Sequence, residues 1–178
     1  MPDNEYSIAV FIDYENLALG ITPPGGGRRK TLVPPDVSKI LERLLEKGRI
    51  VAKRAYCDWQ RFPHAVGDLH ALGIDLIEIP DRGQTGKNSA DIRLAVDAVE
   101  LCHSKDYINT FVIVSGDSDF TPLVSKLKEN GKFVIGVGMY ESTSDLLATN
   151  CDEFIFYEDI GMPAEAPSLP DSLPTEKR

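Results

Sequence analysis

Carboxylates stand at three well-separated places in this 178-residue chain, each where a patterned stretch ends or begins. Asp13 closes the apolar run Ser7-Ile8-Ala9-Val10-Phe11-Ile12, with Glu15 and Asn16 directly behind it. Asp117 and Asp119 follow a second such run, Thr110-Phe111-Val112-Ile113-Val114, across Ser115 and Gly116. Asp91 lies near the head of a helix-forming stretch. Brought to one point, these groups repel: at about 5 Å and an effective dielectric near 20, each like-charge pair costs roughly 3 kcal/mol. A folded chain keeps such a cluster by binding cations or by holding some of the groups protonated. Aspartate oxygens with no accompanying cysteine or clustered histidine suit a hard divalent ion, Mg²⁺ or Mn²⁺, better than zinc. The chemistry within reach is that of a divalent-metal site built from Asp13, Asp91 and Asp117. The competing explanation is structural: Asp13 caps a following turn, and Ser118 or Asp119 caps the next helix.

The elements that must bring these acids together are legible. Apolar, β-branched runs of strand length occur at 7–13, 49–57, 74–79, 110–115, 133–137 and 153–157. Helical patterns fall between them, at 35–47, 64–72, 89–103, 118–130 and 144–149. Gly48, Gly73 and Gly131 are placed to stop three of these helices, and Pro122 sits in a first turn, where proline is tolerated. Strands buried on both faces and alternating with helices predict a three-layer, Rossmann-like α/β domain with a mostly parallel central sheet. Ligands of such sheets bind beyond the carboxyl ends of the strands, and both Asp13 and Asp117 arrive at that edge. On a helix from Ser89, a 100° turn per residue places Asp91 at the head of the stripe Ala95, Ala98, Cys102. The same arithmetic puts Arg93, Asp97 and Glu100 on the opposite, solvated face, so Asp97 reads as surface charge.

With 19 basic and 28 acidic residues the net charge is −9, which argues against coating nucleic acid by bulk charge. Cys57, Cys102 and Cys151 are an odd number, widely spaced and without a CxxC pair, so they read as small buried hydrophobes in a reducing compartment. His64, His70 and His103 lack metal-ligand spacing and read as structural or surface residues. No apolar run reaches the roughly 20 residues of a membrane helix, and no signal peptide is visible. The expectation is a cytoplasmic protein with no membrane partner. From Met162 the composition turns to Pro, Ala, Ser and Glu. The expected division is a domain at 6–160 and a Pro-rich disordered tail at 161–178, or a linker to a further domain.

Phe11-Ile12-Asp13-Tyr14-Glu15-Asn16 resembles the FIDxxN opening of NYN domains. The run Lys87-Asn88-Ser89-Ala90-Asp91-Ile92 to Asp97 resembles their central K-x₃-D-[IV]-x₄-D stretch, and Val114-Ser115-Gly116-Asp117-Ser118-Asp119-Phe120 their SGDSDF signature. Ser144-x-x-Leu147 and Cys151-Asp152-Glu153-Phe154 resemble the ending, with Cys151 where many members carry a small residue. The likeness covers about residues 6 to 160 and is to the LabA-like branch of PIN-like nucleases. It implies a PIN fold, a divalent metal, Mg²⁺ or Mn²⁺, and cleavage of RNA. Carried over singly, Asp13, Asp91 and Asp117 match the main metal-binding acids and Asp119 a further one. Asn16 matches a polar position that orients Asp13 or the substrate phosphate, and Ser115 a hydroxyl beside the metal. The mechanism implied is hydrolysis by a metal-activated water at the Asp cluster, with the ion stabilising the phosphoryl and departing oxygens. A single-stranded RNA partner, a homodimer and a C-terminal RNA-binding domain are further expectations of the resemblance.

A polyanion approaching acids needs cations and stacking surfaces. Arg28, Arg29 and Lys30 on a glycine-rich loop, with Arg61, Arg82 and Lys87, are the basic candidates. The loop is no Walker A sequence, since it lacks a GK[ST] ending. Tyr14, Tyr56, Trp59 and Phe62 are stacking candidates for unpaired bases. The helix near Ser118 offers free N–H groups to a phosphate. Two other readings stand beside the ribonuclease: a non-catalytic RNA-binding module, and a haloacid-dehalogenase-type phosphatase. The latter needs a second aspartate two residues after the first, where this chain has Glu15.

Overall fold

The computed structural model describes residues 5–20, 34–80 and 88–160. Six strands form one sheet: β1 (Tyr6–Asp13), β2 (Gly48–Cys57), β3 (Asp75–Glu78), β4 (Thr110–Val114), β5 (Phe133–Gly138) and β6 (Glu153–Phe156). Their order is β3-β2-β1-β4-β5-β6, and every pair is parallel. The described helices are α1 (Tyr14–Leu19), α2 (Val37–Leu45), α3 (Pro63–Ala71), α4 (Ser89–Ser104), α5 (Thr121–Glu129) and α6 (Asp145–Asn150). The α/β expectation therefore holds, with a sheet that is wholly parallel. No described helix is long and apolar enough to cross a membrane.

Alternation along β1 divides the core. Ile8, Val10 and Ile12 face one layer, where Val37, Ile40, Leu41 and Leu44 of α2 and Leu69 of α3 pack. Ala9 and Phe11 face the other, against Leu94, Ala98 and Leu101 of α4 and Leu123, Val124 and Leu127 of α5. Phe11 and Phe111 stack across the strands on that side, ring centres 6.0 Å apart. A strand buried on both faces has no polar alternation to show, which is why these runs read as continuous hydrophobes.

One of the three glycine assignments comes out differently. Gly73 and Gly131 take positive φ just past α3 and α5 and end them as expected. Gly48 instead opens β2, and a Cβ there would stand 2.1 Å from the Tyr6 carbonyl oxygen. Its small size is required by the close approach of two strands, not by a helix cap. Helix α1 has no counterpart in the sequence reading. Its six residues are too few to display a helical period.

Candidate metal centre

Strand order reverses between β1 and β4, which are neighbours although the chain visits two other strands between them. Such a switch point opens a crevice at the carboxyl ends of the strands. The register pairs Ile12 with Val114, so the residues that follow, Asp13 and Ser115, emerge side by side. The Ser115 hydroxyl donates to Oδ2 of Asp13 at 3.2 Å. Oδ1 of Asp13 accepts from the backbone N–H of Asn16 at 3.5 Å, capping α1. Oδ1 of Asn16 in turn accepts from the Gly116 N–H at 3.0 Å. The Ser115 oxygen also accepts from the Asp117 N–H at 3.2 Å, and Oδ1 of Asp117 from the Asp119 N–H at 2.9 Å. Asp13 thus caps a turn as well as facing the crevice, whereas the cap expected of Ser118 or Asp119 is made by Asp117, and α5 itself has no side-chain cap.

Helix α4 brings the third element. Asp91 lies in its first turn, half-buried, above the buried Leu94 and Ala98. Asp91, Asp117 and Asp119 each offer a carboxylate oxygen, and these oxygens lie within 4.8 Å of one another. Asp13 stands beside this group, not within it. An open cleft of about 350 Å³ is lined by Asp13, Asn16, Asp91, Asp117 and Ser142, among others.

The charges register in the acidities. Burial pushes the Asp13 carboxyl up to about 7, and the neighbouring Asp91 charge adds to it, against the Asn16 N–H and the Ser115 hydroxyl. Asp91 is pushed up to about 6 by burial and then by Asp117 and Asp119. Crowded carboxylates that retain protons lack a positive partner. Three all-oxygen donors at this spacing fit a hard divalent cation, which would supply that charge.

Other candidates fall elsewhere. Tyr14 and Trp59 are buried, at 2% and 6% exposure, with ring centres 5.2 Å apart. The Trp59 indole N–H donates to the Ile77 carbonyl oxygen, and Phe62 packs edge-on against Tyr14. Tyr56 is wholly buried. Tyr14, Tyr56 and Trp59 serve the core and offer no open face to a base, since Trp59 folds inward onto Tyr14, while Phe62 is half-buried. Asp97 is also corrected. It is buried on α4, where it accepts from the Tyr56 hydroxyl at 2.7 Å and from Nε of Arg93 at 3.2 Å. The stretch at Ser118 is a three-residue 3-10 turn ahead of α5, and Asp117 takes its Asp119 N–H, leaving that group unavailable to phosphate. Arg61 forms an ion pair with Glu15 and lies over the Phe62 ring. Glu15, at the position where a phosphatase needs an aspartate, is committed to that pair. Arg28, Arg29, Lys30, Arg82 and Lys87 lie outside the described residues, as does 161–178. The three cysteines are unpaired and buried, as expected. The three histidines are exposed.

Ser142, Leu19 and Gly20 also line the cleft, and the sequence reading passed over them. The available signal was position: Met139-Tyr140-Glu141-Ser142 leaves the carboxyl end of β5, the strand next to β4.

A family model for the NYN domain matches residues 7–158. The chain belongs to the NYN family, within the PIN-like nuclease superfamily. It is 34% identical over 156 residues to the uncharacterized protein MJ0482 of Methanocaldococcus jannaschii, covering 85% of this chain and 55% of that protein. The chain thus spans about half the length of the curated relative it matches. Its fold is similar to the crystal structure of VPA0982 from Vibrio parahaemolyticus, a protein of unknown function, at 23% identity. The TM-score is 0.69, over 88% of this chain and 95% of that one.

Proposed function

We propose that this chain is a divalent-metal-dependent ribonuclease that hydrolyses RNA phosphodiester bonds at the switch-point cleft. The observation that carries the reading is the convergence of Asp91, Asp117 and Asp119 oxygens within 4.8 Å, in a family of PIN-like nucleases. Asp91, Asp117 and Asp119 would hold Mg²⁺ or Mn²⁺, with Asp13 as the adjoining acid. When bound, the ion supplies an activated water and stabilises charge on phosphoryl and departing oxygens. Burial raises the Asp13 carboxyl to about 7, and positive charge in the cleft would favour its ionised form. Ser115 keeps Asp13 oriented through its hydroxyl, while its own oxygen fixes the Asp117 backbone. Asn16 has its side-chain oxygen engaged by Gly116, which leaves the amide NH₂ as a donor suited to a phosphate oxygen.

The test is incubation of purified protein with labelled single-stranded and structured RNA in Mn²⁺, Mg²⁺ or EDTA. Cleavage is expected with either ion and none with chelator. Asp117→Asn keeps the turn cap through its amide oxygen and should abolish cutting. Cutting at the wild-type rate by that variant would assign the activity elsewhere. RNA binding without cleavage would favour a non-catalytic module, and rapid turnover of p-nitrophenyl phosphate a phosphatase.

A further inference from the structure

We infer that the loop after β5 carries a stacking platform for an unpaired nucleobase, with Tyr140 as its ring. The inference rests on the ribonuclease reading for the identity of the cleft, and it adds what binds beside it.

Tyr140 is 70% exposed, the most exposed of the large hydrophobic side chains described. Such a residue on a slack loop would mean little. This one is held. Its backbone N–H donates to both carboxylate oxygens of Glu158, at 3.0 and 3.1 Å. Its ring packs at 5.0 Å against Phe156, which lies 5.1 Å from Phe154. The Thr143 hydroxyl donates to the Met139 carbonyl oxygen at 2.6 Å, closing the loop on itself. The Ser144 N–H donates to the Gly116 carbonyl oxygen at 2.9 Å, tying it to the residue between Ser115 and Asp117. An exposed ring steadied by the tilted Phe156 ring on a tied loop is pre-organised for stacking, with little entropy left to lose.

Position and charge narrow the occupant. Ser142, two residues on, lines the acidic cleft, so Tyr140 stands within about 7 Å of chain from it. Leu19 is 52% exposed and lines the same cleft. Asp13, Asp91, Asp117 and Glu15 line the cleft and Glu158 holds the Tyr140 backbone, while the described cations Arg61 and Arg93 are paired with Glu15 and Asp97. A base stacked on an aromatic face gains affinity independently of charge, and only an unpaired base has a face to offer. The geometry therefore selects single-stranded over duplex nucleic acid.

The probe is a fluorescein-labelled single-stranded oligoribonucleotide, with its duplex as comparison. Binding is followed by anisotropy in Mg²⁺ using full-length chain carrying Asp117→Asn, so that nothing is cut. Tyr140→Ala on that background should weaken single-strand binding roughly tenfold. Tyr140→Trp should restore it, and duplex binding should move less than twofold. The same change in the wild-type chain should raise KM with little effect on kcat. The inference is overturned if Tyr140→Ala binds the single strand as tightly as its parent, or if single-strand and duplex binding fall equally. It is also overturned if Tyr140→Ala instead changes the sedimentation coefficient, which would mark a protein contact. If wild-type protein cuts nothing while Tyr140-dependent single-strand binding persists, the platform stands and the ribonuclease reading falls. If RNA is cut and Tyr140→Ala leaves both KM and affinity unchanged, the reverse holds.

Discussion

The phenolic hydroxyl of Tyr56 donates to Oδ2 of Asp97 at 2.7 Å, joining the end of β2 to the middle of α4. Tyr56 is the register partner of Asp13, and Asp97 shares a helix with Asp91. The bond therefore ties together the two elements whose acids must meet in the cleft. Arg93 reaches Asp97 from its own helix and Arg54 approaches at 3.9 Å, so the buried charge is compensated.

Breaking that tie should cost stability and loosen the metal site together. Asp97→Ala leaves the wholly buried Tyr56 hydroxyl without its acceptor, a penalty of about 1–3 kcal/mol. Tyr56→Phe leaves Asp97 with its arginines and should cost about 1 kcal/mol. Urea denaturation measures both, and manganese titration should show weaker binding for Asp97→Ala. An unchanged urea midpoint for that variant would mean the bond carries no load in solution.

Sequence pattern revealed the scaffold and the acids, but not this bond. The apolar runs and the acids that end them are local features, and the parallel sheet turns them into a shared edge. Asp97 leaves no local trace. Helical arithmetic allows one buried stripe, but α4 also meets Tyr56 and Arg54 beside it, so a residue off the stripe is covered. The same holds for Trp59, whose polar sequence neighbours suggested exposure, while a 3-10 turn folds its ring onto Tyr14. Tyr140 escaped notice for the opposite reason: exposure depends on what the rest of the chain fails to cover.

The acidities of Asp13 and Asp91 set a pH dependence opposite to that of salt-bridged carboxylates. Their folded values, about 7 and about 6, lie above the ordinary 3.8. Between 3.8 and about 7 the folded chain thus binds more protons than the unfolded one, and metal-free stability falls as pH rises. Thermal unfolding in EDTA should show Tm dropping from about pH 5 to about pH 8 through these groups. Asp13→Asn should flatten that slope and be more stable than wild type at the upper end. Mn²⁺ binds the ionised form, so its stabilisation should grow over the same range. A Tm in EDTA that climbs with pH in wild type and variant alike would contradict the raised values.

Asn16 separates metal binding from substrate binding. Asn16→Asp keeps an acceptor for the Gly116 N–H but replaces the amide donor with another negative charge. Manganese should bind this variant more tightly, because the added charge attracts the ion. Oligonucleotide affinity should fall, because a donor has become a repulsive oxygen. Calorimetry with Mn²⁺ and anisotropy with RNA read the two effects separately. Affinities moving in the same direction would refute a phosphate-facing role for the amide.

Gly116 is where the cleft and the Tyr140 loop press together. A Cβ at this position would stand 2.8 Å from the Ser142 carbonyl oxygen and from Cα of Thr143. Both are backbone atoms, so Gly116→Ala must push the loop away or bend the end of β4. Either movement strains the Ser144 N–H bond to Gly116 and the Gly116 N–H bond to Asn16. Overpacking of this kind costs about 1–3 kcal/mol, which most domains survive. Cleavage and single-strand binding should suffer far more than folding, because Ser115 and Asp117 flank the displaced residue. Gly67→Ala is the matched control: it lies on α3 with nothing within 4 Å of its would-be Cβ. Alanine there should raise stability by about 0.5–1 kcal/mol through helix propensity, with cleavage unchanged. Wild-type cleavage by Gly116→Ala would show that the loop and the acids are not mechanically joined.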